Sequence, residues 1–250
     1  KSYTEAFVQY EAEAALLKVY GSEMLDYVVD EMVQVMGGMG FSSEMPADRA
    51  YRDSRINRIF EGTNEINRIW IADTVLKRGH KKKIDIFEQA KQVMKELENL
   101  SDNYQSKGYF EDKAHFVHNF KKVVMMIMEA ASNKFGRKMG QEQEILNNLA
   151  DVVVLTYVAE SMMLRIQKRE AVGAQGEKNL YRDMLDVFMV DAADQIRKHA
   201  LDAIYSLDAE EDVEKYRKGI NYFTELPRIN VKEARRRIAD RLIEENKYCF

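Results

Sequence analysis

The sequence predicts an all-α protein, a helical bundle followed by a second helical bundle, on three observations. Two prolines and twelve glycines in 250 residues leave little turn chemistry. Glu, Lys, Ala, Leu, Met and Arg, all strong helix formers, are abundant. Apolar residues recur at helical rather than strand spacing almost throughout.

In chain order, residues 5–36 read as one long helix. Ser2-Tyr3-Thr4-Glu5 ahead of it has the pattern of a capping box, in which a hydroxyl and a carboxylate satisfy the first free N–H groups. Phe7, Tyr10, Ala14, Leu17, Tyr20, Met24, Val28, Met32 and Val35 form its expected buried stripe. Gly37 and Gly38 stop it, because glycine takes the left-handed conformation that closes a helix. A short helix starts at Pro46, where a missing N–H is harmless, and runs to about Arg55. After a compact segment, 56–63, Thr63 caps a helix from Asn64 to about Arg78, which Gly79 ends.

The basic run Lys77-Arg78-Gly79-His80-Lys81-Lys82-Lys83 marks a joint between two expected domains, 1–79 and 80–250. Helices are expected beyond it at 84–101, 111–138, 141–172, 178–206, 209–220 and 231–246. Their apolar stripes include Phe116, Phe120, Val123 and Ile127, then Ile145, Leu149, Val153 and Val158. Short loops such as 171–176 favour antiparallel neighbours in a bundle. The fourteen methionines, Met125-Met126 and Met162-Met163 among them, fall mostly at core-facing spacing and read as packing.

A net charge of −4 from 38 basic and 42 acidic residues, well mixed, carries no electrostatic footprint for nucleic acid. No run approaches the roughly 20 apolar residues of a spanning helix. The single cysteine, Cys249, cannot make an internal disulfide. His80, His115, His118 and His199 complete no metal-ligand set, so no metal is expected. No targeting segment is visible, and the chain opens inside a helical pattern, which leads us to expect a piece of a longer polypeptide.

The chemistry is concentrated in 34–68. Gly37-Gly38-Met39-Gly40 follows a helix instead of a strand, so it is no dinucleotide fingerprint. On spacing alone, it is either a plain helix cap or a place where backbone approaches another group closely. Glu61-Gly62-Thr63 puts a carboxylate immediately ahead of a flexible residue and a capped helix N-terminus, whose free N–H groups can bind a carbonyl oxygen. Glu61 there is either a general base or simply a charge favoured by the helix dipole.

Gln34-x-x-Gly37-Gly38-x-Gly40, then Pro46-x-x-Arg49-x-Tyr51-Arg52-Asp53-x-Arg55-Ile56, then Ile59-Phe60-Glu61-Gly62-Thr63-Asn64-Glu65-Ile66 together resemble the acyl-CoA dehydrogenase C-terminal domain. Phe60 before Glu61, Met39 in the glycine turn, Lys18-Val19-Tyr20-Gly21-Ser22-Glu23 upstream and the helical region after Gly79 are similar to the very-long-chain branch.

The resemblance implies a flavoprotein oxidoreductase of fatty-acid β-oxidation. Glu61 matches the base that takes the α-proton of an acyl-CoA while the β-hydrogen leaves as hydride to FAD, giving a trans-2-enoyl-CoA. Gln34, Val35, Met36, Gly37 and Gly38 match the segment that approaches the adenosine–pyrophosphate half of FAD across a homodimer interface. Thr63, Asn64 and Glu65 match contacts to the cofactor of the same subunit, and Gly62 a substrate contact. Tyr51-Arg52-Asp53 reads as structural pairing. Electron-transferring flavoprotein is the implied oxidant, and a long-chain acyl-CoA the implied substrate. The implied compartment is the bacterial cytoplasm, or the mitochondrial matrix or inner-membrane face in a eukaryote. These residues lack the family's N-terminal helical domain, its β-domain and the first helices of the bundle. The chain alone is therefore expected to hold FAD weakly and to be inactive. A second reading makes it chiefly a helical dimerisation or membrane-association module, since the segment 81–100 is basic at its start and amphipathic.

Overall fold

The computed structural model describes residues 2–100, 104–173, 178–207 and 213–250. All regular structure among them is helical: α1 (Tyr3–Met36), α2 (Gly38–Phe41), α3 (Pro46–Arg55), α4 (Asn64–His80), α5 (Ile86–Glu96), α6 (Tyr109–Phe135), α7 (Gln143–Ala171), α8 (Lys178–Tyr205), α9 (Val213–Thr224) and α10 (Val231–Glu245). Tight three-residue turns at Ile56–Arg58 and Leu97–Asn99 extend α3 and α5. The chain separates into two compact units, 1–84 with 142–150, and 85–141 with 151–250, where a single joint at 79 was expected.

In the first unit the Ser2 hydroxyl accepts the Glu5 N–H at 3.3 Å while the Glu5 carboxylate accepts the Ser2 N–H at 3.1 Å, the expected capping box. The helix α1 packs against α3 and α4. Its buried face is not the expected one. Ala12, Ala15, Leu16, Val19, Ser22 and Val29 point inward, while Phe7 is 78% exposed, Leu17 60% and Val35 85%. Tyr10, Ala14, Met24 and Val28 are exposed as well, and Tyr20 and Met32 half-buried. The reason is steric. α1 carries apolar residues on more than one face, and the face with small side chains lets α4 approach closely. The larger apolar side chains are left on the outside.

At Tyr10 α1 kinks, with φ −110°. The Arg78 guanidinium reaches into the opened ladder and donates to the carbonyls of Val8 at 3.2 Å and Gln9 at 2.8 Å, one of the usual causes of a helix bend. Gly79 does not end α4 as expected. It is buried inside the helix, and the left-handed position falls to Lys82, at φ 54°, with the Lys83 N–H closing back on the Arg78 carbonyl at 2.9 Å.

In the second unit α6 packs against α5, α8 and α9, and α8 against α9 and α10. Phe116, Phe120, Val123 and Ile127 are buried as expected. Of α7, Ile145 and Leu149, which belong to the first unit, are buried, while in its second-unit part Val152, Leu155 and Ala159 lie deeper than Val153 and Val158. Met126, Met128, Met163 and Met189 are core residues. Gly219 of α9 allows the closest approach, since a Cβ there would meet Leu97 at 2.5 Å and Met126 at 2.8 Å. Lys113, only 5% exposed, pairs with Asp186 at 2.5 Å, and the Tyr109 hydroxyl donates to the same carboxylate at 3.0 Å. A buried charge persists when it is paired and hydrogen-bonded in this way. Ala90 and Val93 turn the apolar face of α5 inward. No helix among the described residues is long and apolar enough to cross a membrane. The expected helix end at 101, the loop residues 174–176 and the expected helix start at 209 lie outside the described residues.

Candidate functional site

The segment between α3 and α4 is fastened to α1 at both ends. Before the turn, Arg58 pairs with Asp26 of α1 at 2.7 Å. After it, the Lys18 ammonium donates to the Gly62 carbonyl at 2.8 Å and to the Asn64 side-chain oxygen at 2.7 Å. Between these anchors the chain makes a left-handed step at two consecutive residues, Glu61 at φ 55° and Gly62 at φ 79°. Glycine adopts this conformation freely, but for glutamate it costs on the order of 1–3 kcal/mol and persists only where the surroundings over-determine it. The Asn67 amide supplies a further restraint, donating to the carbonyls of Gly62 at 2.8 Å and Thr63 at 3.0 Å. Thr63 then caps α4, its hydroxyl accepting the Ile66 N–H at 3.3 Å.

Asn64 is the keystone. It is fully buried, at 0% exposure, and its side chain is used internally. The amide nitrogen donates to Ser22 at 2.9 Å and to Glu23 at 3.0 Å, while the oxygen takes Lys18. Glu23 in turn holds Arg68 through two bonds, at 2.7 and 2.8 Å.

Burial lowers the proton affinity of the Lys18 ammonium, while Glu65, Glu23 and Glu61 pull it back up. The Glu65 carboxyl is held below its usual range by its own backbone N–H and by the Thr63 hydroxyl, with Arg68 and Arg58 adding to the effect. A carboxylate already occupies the start of α4, so this helix end disfavours a second anion and suits a neutral hydroxyl or carbonyl. Glu61 itself is exposed, and among the described residues its carboxylate takes no hydrogen bond or ion pair. A free carboxylate on a rigid turn, directly ahead of a capped helix start, has the placing of a general base.

The glycine turn lies at the other end of α1. Gly37 closes that helix at φ 60° and ψ −144°, a conformation open only to glycine. Gly40 is buried because a Cβ there would stand 2.8 Å from both the Met36 Cβ and the Val33 carbonyl oxygen. Gly38 meets no neighbour within 4 Å, and Gln34, Val35 and Gly38 are exposed, with Met36 half-buried. Alongside runs an open groove of about 860 Å³ whose walls include Val33, Phe41, Tyr51, Arg52, Ile56 and Ile59. Tyr51, Arg52 and Asp53 are exposed on it, and among the described residues Arg52 and Asp53 form no ion pair, contrary to the structural pairing expected of them.

Thus Glu61, Gly62, Thr63, Asn64 and Glu65 share one turn, while 34–38 form a separate surface of the same unit. The residues that hold the turn, Lys18, Ser22, Glu23, Asp26, Asn67 and Arg68, carry no role in the sequence reading. Their signal was available: Lys18, Ser22 and Asp26 sit at four-residue spacing on α1 and so share one polar face. No group of three or more His, Cys, Asp or Glu among the described residues could hold a metal ion.

Two family models described as "Acyl-CoA dehydrogenase, C-terminal domain" match residues 3–76 and 119–219. A "Probable acyl-CoA dehydrogenase" of Bacillus subtilis is 37% identical over 99% of this chain and 42% of its own length. A rat mitochondrial very long-chain specific acyl-CoA dehydrogenase is 50% identical over 68 residues, 27% of this chain and 10% of that protein. The crystal structure of an acyl-CoA dehydrogenase complexed with FAD from Bacillus anthracis superposes with a TM-score of 0.91 at 34% identity, covering 98% of this chain and 41% of that one. The chain thus spans about two fifths of the length of its full-coverage relatives.

Proposed function

We propose that this chain, which belongs to the acyl-CoA dehydrogenase family, is the part of a longer flavin-dependent dehydrogenase that supplies the base, Glu61. One observation carries the proposal. Glu61 presents an exposed carboxylate from a left-handed turn directly ahead of the capped start of α4.

The residues present fit FAD in two places. At Gly37 and Gly38 no atom stands within 4 Å of where a Cβ would be, so a phosphate group can reach bare backbone. At the start of α4 the Glu65 charge excludes a phosphate and favours a neutral, hydroxyl-bearing part of the cofactor. Gln34, Val35, Met36, Gly37 and Gly38 would hold the pyrophosphate side, and Thr63 and Glu65 the neutral side, with the buried Asn64 fixing the helix start behind them. FAD, when bound, accepts the β-hydrogen of the acyl chain as hydride.

The chain's own residues do the rest. The Glu61 carboxylate takes the α-proton of the thioester. A backbone N–H of the turn faces the thioester oxygen, where negative charge develops, and stabilises it more than it does the ground state. Gly62 leaves the approach to Glu61 clear of any side chain. The products are a trans-2-enoyl-CoA, a protonated Glu61 and a reduced flavin. Long-chain acyl groups are the proposed substrate class, and electron-transferring flavoprotein is the proposed oxidant. Phe7, Leu17, Met24 and Val28 of α1, with Ile66 and Trp70 of α4, form an exposed apolar surface. Surfaces of this kind are covered in the assembled protein. That supports further helices of the same polypeptide and a second subunit as neighbours.

The experiment is anaerobic mixing of acyl-CoA with the full-length, FAD-loaded enzyme. Glu61→Gln is expected to slow flavin bleaching by about 10²–10⁴-fold while FAD stays bound. Bleaching at the wild-type rate would remove Glu61 as the base.

A further inference from the structure

Resting on the assignment of Glu61 as base, we propose that Lys18 is a positioning residue that locks the Glu61–Gly62 turn through its bonds to Gly62 and Asn64. Three observations support it. The Lys18 ammonium donates to the Gly62 carbonyl at 2.8 Å and to the Asn64 side chain at 2.7 Å, reaching across from α1 to a segment more than forty residues away. The clasped peptide follows directly on a non-glycine residue at φ 55°, the conformation that requires outside restraint. The second acceptor, Asn64, is itself immobilised by Ser22 and Glu23, so the Lys18 contact is referenced to the helix core and not to a mobile side chain.

The alternative uses of a lysine here are weaker. Lys18 is half-buried, and its ammonium is directed to a carbonyl and an amide oxygen, so it is not a rim charge displayed to a ligand. Nor is it a simple helix–helix ion pair, because no carboxylate lies within salt-bridge distance of it among the described residues. Burial lowers its proton affinity, and Glu65, Glu23 and Glu61, at longer range, only partly restore it. A cation donating to the carbonyl that follows Glu61 fixes both the direction of the carboxylate and that of the N–H groups after it. A small misplacement of such a base costs rate without costing affinity.

Two measurements on Lys18→Met and Lys18→Arg test this. Met keeps the length and removes the donor, whereas Arg keeps a donor and the charge. In this chain, Lys18→Met is expected to speed amide exchange at residues 61–66 by at least about tenfold while the amides of α1 and α3 keep their protection. In the full-length, FAD-loaded enzyme it is expected to lower kcat by about 10–100-fold at unchanged KM and unchanged FAD content. Lys18→Arg is expected to recover most of both. Protection lost evenly across the first unit, or failure of Lys18→Met to fold, would overturn the proposal in favour of a purely structural lysine, and so would an unchanged kcat. A Glu61→Gln enzyme that still turned over would instead sink the base assignment, while the exchange result, which concerns the turn alone, would stand.

Discussion

The ammonium of Lys18 donates to the carbonyl of Gly62 at 2.8 Å, so a residue in the middle of the first helix holds the peptide immediately after the proposed base. Asp26, two helical turns further along α1, holds Arg58 on the other side of the same segment at 2.7 Å. The Glu61 turn is thereby a bridge fastened at both ends to one helix.

The buried centre of this bridge is Asn64. Its replacement by Leu leaves the Ser22 hydroxyl, Glu23 and Lys18 without the partner they share. An unsatisfied buried polar group costs about 1–3 kcal/mol, and several are exposed to that loss here. Urea denaturation is expected to show Asn64→Leu destabilised by roughly 2–3 kcal/mol. A change below about 0.5 kcal/mol, the range of an ordinary surface substitution, would contradict the network.

The three glycines of the 37–40 turn separate by cause. Gly40→Ala forces a Cβ to within 2.8 Å of the Val33 carbonyl, an overpacking expected to cost about 1–3 kcal/mol. Gly37→Ala meets no neighbour but must hold φ 60°, at a similar cost of about 1–3 kcal/mol. Gly38→Ala has open space and an ordinary φ and is expected to change stability by less than about 0.5 kcal/mol. Thermal denaturation of the three variants gives the ranking.

Asp112 of the second unit accepts from Ser106 at 2.6 Å, Tyr104 at 2.7 Å and the Lys107 N–H at 3.0 Å. Those donors, Ser106 first, depress its pKa from 3.8 to about 2. A depressed carboxylate stabilises the fold above its unfolded pKa, and the contribution fades as pH falls through the folded one. The difference in Tm between the wild type and Asp112→Asn is therefore expected to be largest near about pH 6 and to narrow below about pH 4. A difference that stays constant down to about pH 3 would assign the loss to packing instead.

The surfaces proposed for FAD are single-sided in this chain: Gly38 is open and Glu61 exposed. Flavin fluorescence titration of the 250-residue chain is expected to show no stoichiometric complex. A tight yellow complex would mean that these residues enclose the cofactor without further chain.

The helices were legible because capping and glycine chemistry is local. Ser2 with Glu5, Pro46 and Thr63 each stand where the sequence puts them. The buried face of α1 was not legible. Periodicity favours the larger residues, Phe7, Leu17 and Val28, whereas the choice between two apolar faces depends on how closely α4 approaches. Gly79 misled for a related reason, since a buried glycine within a helix and one that ends it look alike in sequence. At the site, Glu61 stood out through its neighbours Gly62 and Thr63 and through family likeness. Its left-handed backbone and the Lys18 clasp are products of tertiary contacts spanning 44 residues.

The most direct test is exchange of the substrate's α-hydrogen with deuterated solvent, followed by NMR of the acyl-CoA in the full-length, FAD-loaded enzyme. This reports the proton step apart from hydride transfer. The account predicts that wild type exchanges the α-hydrogen and that Glu61→Gln, with FAD and substrate still bound, loses the exchange by at least about a hundredfold. Exchange that persists undiminished in Glu61→Gln would contradict it and send the search for the base to another residue.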